Sequence, residues 1–186
     1  MKRSFDLVLA LLTVCVLFFP AFMVFILVKV TSQGPALYWS ERVGKNNVIF
    51  KMPKFRSMKI DTPAVATHLL ENPKSVLTPI GDYLRKSSLD EIPQLWSIIH
   101  GDMSFVGPRP ALFNQDDLIE LRSKSGVDQL LPGLTGWAQV NGRDDLSIIE
   151  KVKLDVEYIS RKSFKFDIYI MWLTLLKVLK REGVSH

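Results

Sequence analysis

Two adjacent carboxylates, Asp90 and Glu91, stand in the stretch SLDEIPQLWSIIHGDMSFVGPRP, which runs from Ser88 to Pro110 and carries Arg109 near its end. Acids grouped with a guanidinium suit phosphate chemistry. A divalent cation can bridge carboxylate and phosphate oxygens, and an arginine set between Pro108 and Pro110 offers a stiffly mounted fork of donors. Leu95, Ile98 and Ile99 recur at helical spacing and Gly101 stands where a helix would stop. This predicts a short helix with Asp90 as N-cap and Pro93 in its first turn. Both acids then lie at a helix N-terminus, where unpaired N–H groups and the dipole favour anions. The plainer reading of the same residues is a capping aspartate, a solvated glutamate and an arginine in an ordinary turn, and the residues alone leave both open.

The rest of the chain has to hold this stretch in place. Its 186 residues suffice for one domain with a core, and 47% are hydrophobic, concentrated toward the N-terminus. Lys and Arg number 24 against 19 Asp and Glu, a formal charge of +5 that suits anionic lipid, nucleotide phosphates or nucleic acid. Cys15 is the one cysteine, which excludes an intrachain disulfide and a Cys/His zinc set. His68, His100 and His186 are scattered and read as surface or core residues.

No charge interrupts Leu7 to Val28, a run long enough to span a bilayer at about 20 residues. Pro20 within it predicts a kink, and cations flank it on both sides: Lys2 and Arg3 before, Lys29, Arg42, Lys45, Lys51, Lys54 and Arg56 after. Basic flanks stay cytoplasmic, so a helix that enters, bends and leaves by the same face satisfies both ends, whereas a straight spanning helix satisfies one. The segments 36–43 and 48–52 flank Gly44-Lys45-Asn46-Asn47 and predict a hairpin. Lys54, Arg56 and Lys59 follow as a basic cluster, either for lipid headgroups or, through Lys54 or Arg56, for nucleotide phosphates. Residues 62–76 predict a short helix in a surface loop, and 114–124 an amphipathic helix capped by Asn114 and stopped before Gly126. Ser147 and Glu150 form a capping box that opens a helix striped by Ile148, Val152, Val156 and Ile159. A last helix, from an Asp167 cap to Arg181, reaches roughly 21 Å and reads as interfacial, with a buried core helix as the other reading. In PGLTGWAQVNGR, Gln139, Asn141 and Arg143 sit on a glycine-rich loop that either approaches phosphates and sugar hydroxyls or simply turns.

The central stretch resembles the bacterial sugar transferases, the monotopic polyprenyl-phosphate phosphoglycosyl transferases, whose members carry a similar SLDE(L/I)PQL, then GDMS, then VGPRP. KRSFDLVLA at Lys2 to Ala10, KFRSMK at Lys54 to Lys59, LTPIGDYLRKSSLDE at Leu77 to Glu91 and LPGLTGWAQVNGR at Leu131 to Arg143 resemble the same family in the same order. The resemblance implies an α-rich α+β fold. By that resemblance residues 1–31 are expected to form a re-entrant membrane anchor, and 32–186 a compact domain on the cytoplasmic face of the bacterial inner membrane, with amphipathic helices and a small β-hairpin. It implies transfer of a phospho-sugar from a UDP-sugar to polyprenyl phosphate with release of UMP, with membrane lipid but no nucleic acid as partner. By the same resemblance Asp90 is the nucleophile, Glu91 handles a proton or the metal, and Arg109 neutralises phosphate charge. Asp90 and Glu91 hold magnesium, and Lys54, Arg56, Arg85, Pro108, Gln139, Asn141 and Arg143 contact substrate. Two positions depart from the family pattern: Phe19 precedes Pro20 where many members have Ser, and Pro53 precedes Lys54. A rival from another class is a non-catalytic basic protein that binds anionic lipid or nucleic acid at the membrane surface. It leaves an Asp-Glu pair amid the cations unexplained.

Overall fold

A computed structural model describes residues 2–63, 65, 72–142 and 145–180. Among these residues the chain is helix-rich with two small two-stranded sheets. Of the segment 62–76, where a short helix is expected, residues 64 and 66–71, His68 among them, lie outside the described residues; Pro73–Val76 forms a single 3-10 turn.

Helix α1 (Lys2–Thr31) is helical throughout, with Pro20 inside it. Its middle exposes Val16, Phe18, Phe19 and Phe22, more contiguous apolar surface than a water-facing helix carries. Its two ends, by contrast, are both fixed to the same folded body. At the first end, Lys2 donates to the Val106 carbonyl at 3.0 Å and pairs with Asp167, while Asp6 accepts from the Ser104 hydroxyl at 2.8 Å. Arg3 donates to the last carbonyls of a later helix, Ile98 and Ile99. At the other end, Val24 and Val28 pack with Ala36, Phe55 and Leu84.

The hairpin pairs β1 (Leu37–Val43) with β2 (Ile49–Phe55), and Asn46 and Asn47 turn it in the left-handed conformation that asparagine tolerates. Pro53 does not disturb it. In a two-stranded sheet every strand is an edge, so a missing N–H can face outward. Trp39 opposes Pro53 and Tyr38 opposes Lys54 in unbroken register.

A second sheet was not legible in the sequence. Three-residue strands β3 (Ser104–Val106) and β4 (Gly133–Thr135) run parallel, setting the VGPRP loop beside the LPGLTG loop. Glycine makes the approach possible: a Cβ on Gly133 would stand 2.1 Å from the Gly107 nitrogen.

Helices α2 (Gly81–Lys86), α3 (Leu95–His100), α4 (Asp116–Lys124), α5 (Trp137–Val140), α6 (Ile148–Arg161) and α7 (Phe164–Lys180) complete the fold. Three expected caps differ. Asp90 lies inside a 3-10 turn, Leu89–Gln94, that begins after Ser88. Gln115, not Asn114, precedes α4, and Gly126 follows that helix at φ +72. Asp167 lies within α7, where it is bonded by Lys2 and by the Tyr158 hydroxyl at 2.7 Å. The Ser147–Glu150 capping box is present, but α6 buries Val152, Asp155 and Tyr158 while Val156 faces outward. The main core unites Ala10, Met52, Leu95, Ile98, Met103, Phe105, Tyr158 and Ile170, drawn from most elements of the chain.

A candidate phosphate-transfer site

The 3-10 turn Leu89–Gln94 carries the two acids, entered through Ser88 at φ 56 and followed at once by α3, which Gly101 ends at φ 110. Apolar neighbours fix it on either side. Leu89 and Ile92 pack on the Val24–Leu84 cluster, and Leu95 and Ile98 enter the main core. The cap position of this turn belongs to Ser88, which makes no side-chain cap bond, and not to Asp90 as the sequence suggests. Asp90 is buried instead, with 8% of the residue exposed.

Strand β2 packs on this turn and brings Lys54, whose Nζ lies 3.0 Å from Glu91 Oε1. The same oxygen accepts from Arg109 NH2 at 2.8 Å. Glu91 therefore joins one cation from the hairpin to one from the VGPRP loop, residues distant in sequence. Burial pushes Asp90 up to about 6; Lys54 opposes the shift, Glu91 adds to it, and Arg85 and Arg109 oppose it. Burial likewise lowers Lys54, with Glu91 pulling it back. Arg42 is lowered to about 10, first by burial and then by Arg109. Four cations, Arg42, Lys54, Arg85 and Arg109, thus act on two carboxylates. Full ionisation of both acids leaves an excess of two positive charges, suited to a doubly charged anion.

Of the residues expected at substrate, the structure groups Lys54, Arg85 and Arg109 around Asp90 and Glu91. Pro108, next to Arg109 in the chain, is buried and its carbonyl accepts from the Gly133 N–H at 2.8 Å. Arg56 is directed to the end of α1, donating to the Ser32 carbonyl at 3.1 Å and hydroxyl at 2.9 Å. Gln139 donates to the Leu134 carbonyl at 2.9 Å with its Oε1 buried and unbonded, and Asn141 donates to the Trp137 carbonyl at 2.7 Å. Arg143 lies outside the described residues.

Sequence reasoning assigned Arg42 only to a basic flank. Strand periodicity held the signal: Tyr38, Ser40 and Arg42 alternate onto one face of β1, and Tyr38 pairs with Lys54. Arg42 Nε donates to the Ser40 hydroxyl at 3.0 Å, and its NH1 to the Pro110 carbonyl at 3.2 Å.

Among the described residues no cluster of three or more His, Cys, Asp or Glu could hold a metal by itself. Magnesium does not require one. It commonly takes one or two carboxylates and completes its shell with phosphate oxygens and water, and the adjacent hard donors Asp90 and Glu91 fit that pattern.

The chain matches, over residues 1–181, the family described as bacterial sugar transferase. It is 38% identical over 202 residues to a UDP-galactose-lipid carrier transferase of Erwinia amylovora, covering 98% of this chain and 41% of that protein. It is 40% identical over 190 residues to the UDP-glucose:undecaprenyl-phosphate glucose-1-phosphate transferase of Escherichia coli strain K12, covering 95% and 40% respectively. The uncharacterized sugar transferase EpsL of Bacillus subtilis strain 168 is 35% identical over 186 residues, 100% of this chain and 91% of that protein. The chain thus spans about two fifths of the length of the first two and most of the third.

Proposed function

Because the chain belongs to the bacterial sugar transferases, we propose that it is an enzyme that transfers a phospho-sugar from a UDP-sugar to a polyprenyl phosphate, the Asp90 site being where the transfer occurs. The observation that carries this reading is a buried carboxylate beside a second acid within four cations. The charge excess matches a diphosphate. The buried acid has no purpose in a surface that only binds lipid headgroups or nucleic acid, since it repels phosphate and costs desolvation.

Asp90 attacks the phosphorus next to the sugar, and the bond from that phosphorus to the bridging oxygen breaks, its electrons leaving with UMP. The phosphate oxygen of the lipid then attacks the same phosphorus and returns Asp90 to a carboxylate, giving a polyprenyl diphosphate sugar. Lys54, Arg85 and Arg109 lie where they neutralise charge on the transferring group, and Arg42 strengthens the field behind them. Glu91 holds Lys54 and Arg109 in register. Magnesium, held by Asp90 and Glu91, would share the phosphate charge and favour the ionised form of Asp90. The test is UMP release from a panel of UDP-sugars in detergent, with and without polyprenyl phosphate and with EDTA. Expected are release with at least one sugar and loss of turnover in EDTA, restored by magnesium. No release from any sugar would sink the reading, and full turnover in EDTA would remove the metal from it.

The membrane arrangement we propose is the re-entrant one, at the cytoplasmic face of the bacterial inner membrane. Straight, α1 would measure about 45 Å, enough to cross a hydrocarbon core, and its two ends would then sit on opposite sides. The observation against crossing is that both ends are fixed to one folded body. With Cys15 replaced, cysteines placed singly at Ser4 and Gln33 should both resist an impermeant thiol reagent in intact cells and both react after permeabilisation. Labelling of one but not the other in intact cells would establish a spanning helix.

A further inference from the structure

The backbone that carries Arg109 is held at four successive carbonyls. The Pro108 carbonyl accepts from the Gly133 N–H at 2.8 Å and the Ala111 carbonyl from the Val43 N–H at 3.0 Å. The Pro110 carbonyl accepts from Arg42 NH1 at 3.2 Å. The carbonyl of Arg109 itself accepts from Arg122 NH1, on α4, at 2.7 Å. Prolines on both sides restrict the dihedrals further, because their φ is fixed and a residue before proline is pushed to extended conformations.

Arg122 is anchored in turn. Its Nε and NH2 both donate to Asp155 Oδ2 on α6, at 2.9 Å and 2.7 Å. The two residues are 9% and 1% exposed. A pair this buried contributes little net stability, because removing two charges from water offsets their attraction. Burial accordingly pushes the Asp155 carboxyl up, with Arg122 as the chief opposing influence. What the pair does accomplish is geometric: with two guanidinium nitrogens fixed on one carboxylate oxygen, the third is aimed at a single backbone carbonyl. A small open pocket of about 30 Å³ adjoins the loop, lined among others by Val43, Pro108, Ile119 and Leu130.

We propose that Arg122 and Asp155 are positioning residues for Arg109: they fix the carbonyl at the root of its side chain and so aim its guanidinium at Glu91 and the donor phosphates. This rests on the phosphate-transfer reading above. Neither residue touches the reacting atoms; they act through Arg109 alone.

The experiment compares wild type with the paired variant Arg122→Met/Asp155→Leu, which removes both charges together and leaves no buried ion without a partner. Each is made with Arg109 intact and with Arg109→Lys. With Arg109 intact the paired variant should lose about 10²-fold in UMP release, mainly in kcat, the scale of a misplaced catalytic group. In the Arg109→Lys background the same pair should cost less than about 3-fold, because the fork it aims is already gone. Hydrogen exchange at the amides of Gly107, Arg109 and Ala111 should quicken in the paired variant and stay unchanged in Arg109→Lys. Arg122→Lys, which keeps the charge but lacks the rigid fork that ties Asp155 to the carbonyl, serves the same comparison if the paired variant fails to fold. Equal losses in both backgrounds with unchanged exchange at the loop would overturn the proposal and leave the pair purely structural. Absence of UMP release in wild type would overturn the catalytic reading and with it the aiming of Arg109, whereas the exchange rates would still decide whether the pair holds the loop.

Discussion

Asp90→Asn is expected to reduce turnover by at least ~10⁴-fold, the scale of removing a nucleophile, while making the protein more stable at neutral pH. The amide keeps the size of the side chain but has no anion with which to attack phosphorus. Intact-protein mass spectrometry after incubation with UDP-sugar alone should show a phospho-sugar adduct on wild type and none on the variant. Wild-type kinetics should be ping-pong, since the covalent route proposed above releases UMP before the lipid reacts. Ternary-complex kinetics with no adduct under rapid quench would overturn the covalent route and favour direct attack by the lipid phosphate.

The stability change has a sign opposite to that of most carboxylates. An unfolded aspartate titrates near 3.9, and in the folded protein burial pushes Asp90 up to about 6. Above that pH the fold must carry an ionised group that it disfavours, so Asp90 lowers stability there, on the order of 2–3 kcal/mol. The penalty fades as pH falls from about 6 toward 4, where both states bind the proton. Asn never ionises and escapes it. Denaturant unfolding in EDTA should therefore show the variant more stable than wild type at pH 7.5, and the two converging near pH 4. A variant less stable than wild type at pH 7.5 would show that Asp90 is held by favourable partners after all.

Arg109→Lys is expected to lose ~10²–10³-fold, comparable to removing one donor that stabilises a transition-state oxyanion. The lysine keeps the charge and can still reach a single oxygen, but it does not reproduce a planar fork that faces Glu91 and a phosphate together. Arg109 NH2 is committed to Glu91 Oε1 at 2.8 Å, and Lys54 shares that oxygen, so the acid retains a cation when Arg109 is replaced. Folding should consequently survive, and the loss should fall on kcat for every UDP-sugar accepted, because the contact proposed for Arg109 is to phosphate and not to sugar. Near-normal kcat would reduce Arg109 to a counterion for Glu91. A loss confined to KM would place it in ground-state binding only.

By itself the sequence determined those features whose causes lie within a few residues. The uncharged run in α1, the hairpin around Gly44–Asn47, the helix stops at Gly101 and Gly126, and the Ser147–Glu150 capping box all follow from periodicity, turn chemistry or a contact three residues away. The grouping of Asp90, Glu91 and Arg109 in one stretch was legible for the same reason, although the residues alone left a capping acid and a phosphate site both open and only the family resemblance favoured the second. What only the tertiary structure decided is which polar side chain meets which. A short acid near a helix start reads as a cap in each case, yet Asp90 is buried among cations from three other segments and Asp167 holds Lys2. The parallel pairing of β3 with β4, the place of Arg42 beside Arg109 and the grip of Arg122 on the Arg109 carbonyl are likewise contacts between separate segments. Such contacts leave no period or spacing in the chain. They are chosen by the packing of the common core, which brings the elements together and fixes where each charged side chain must find its partner.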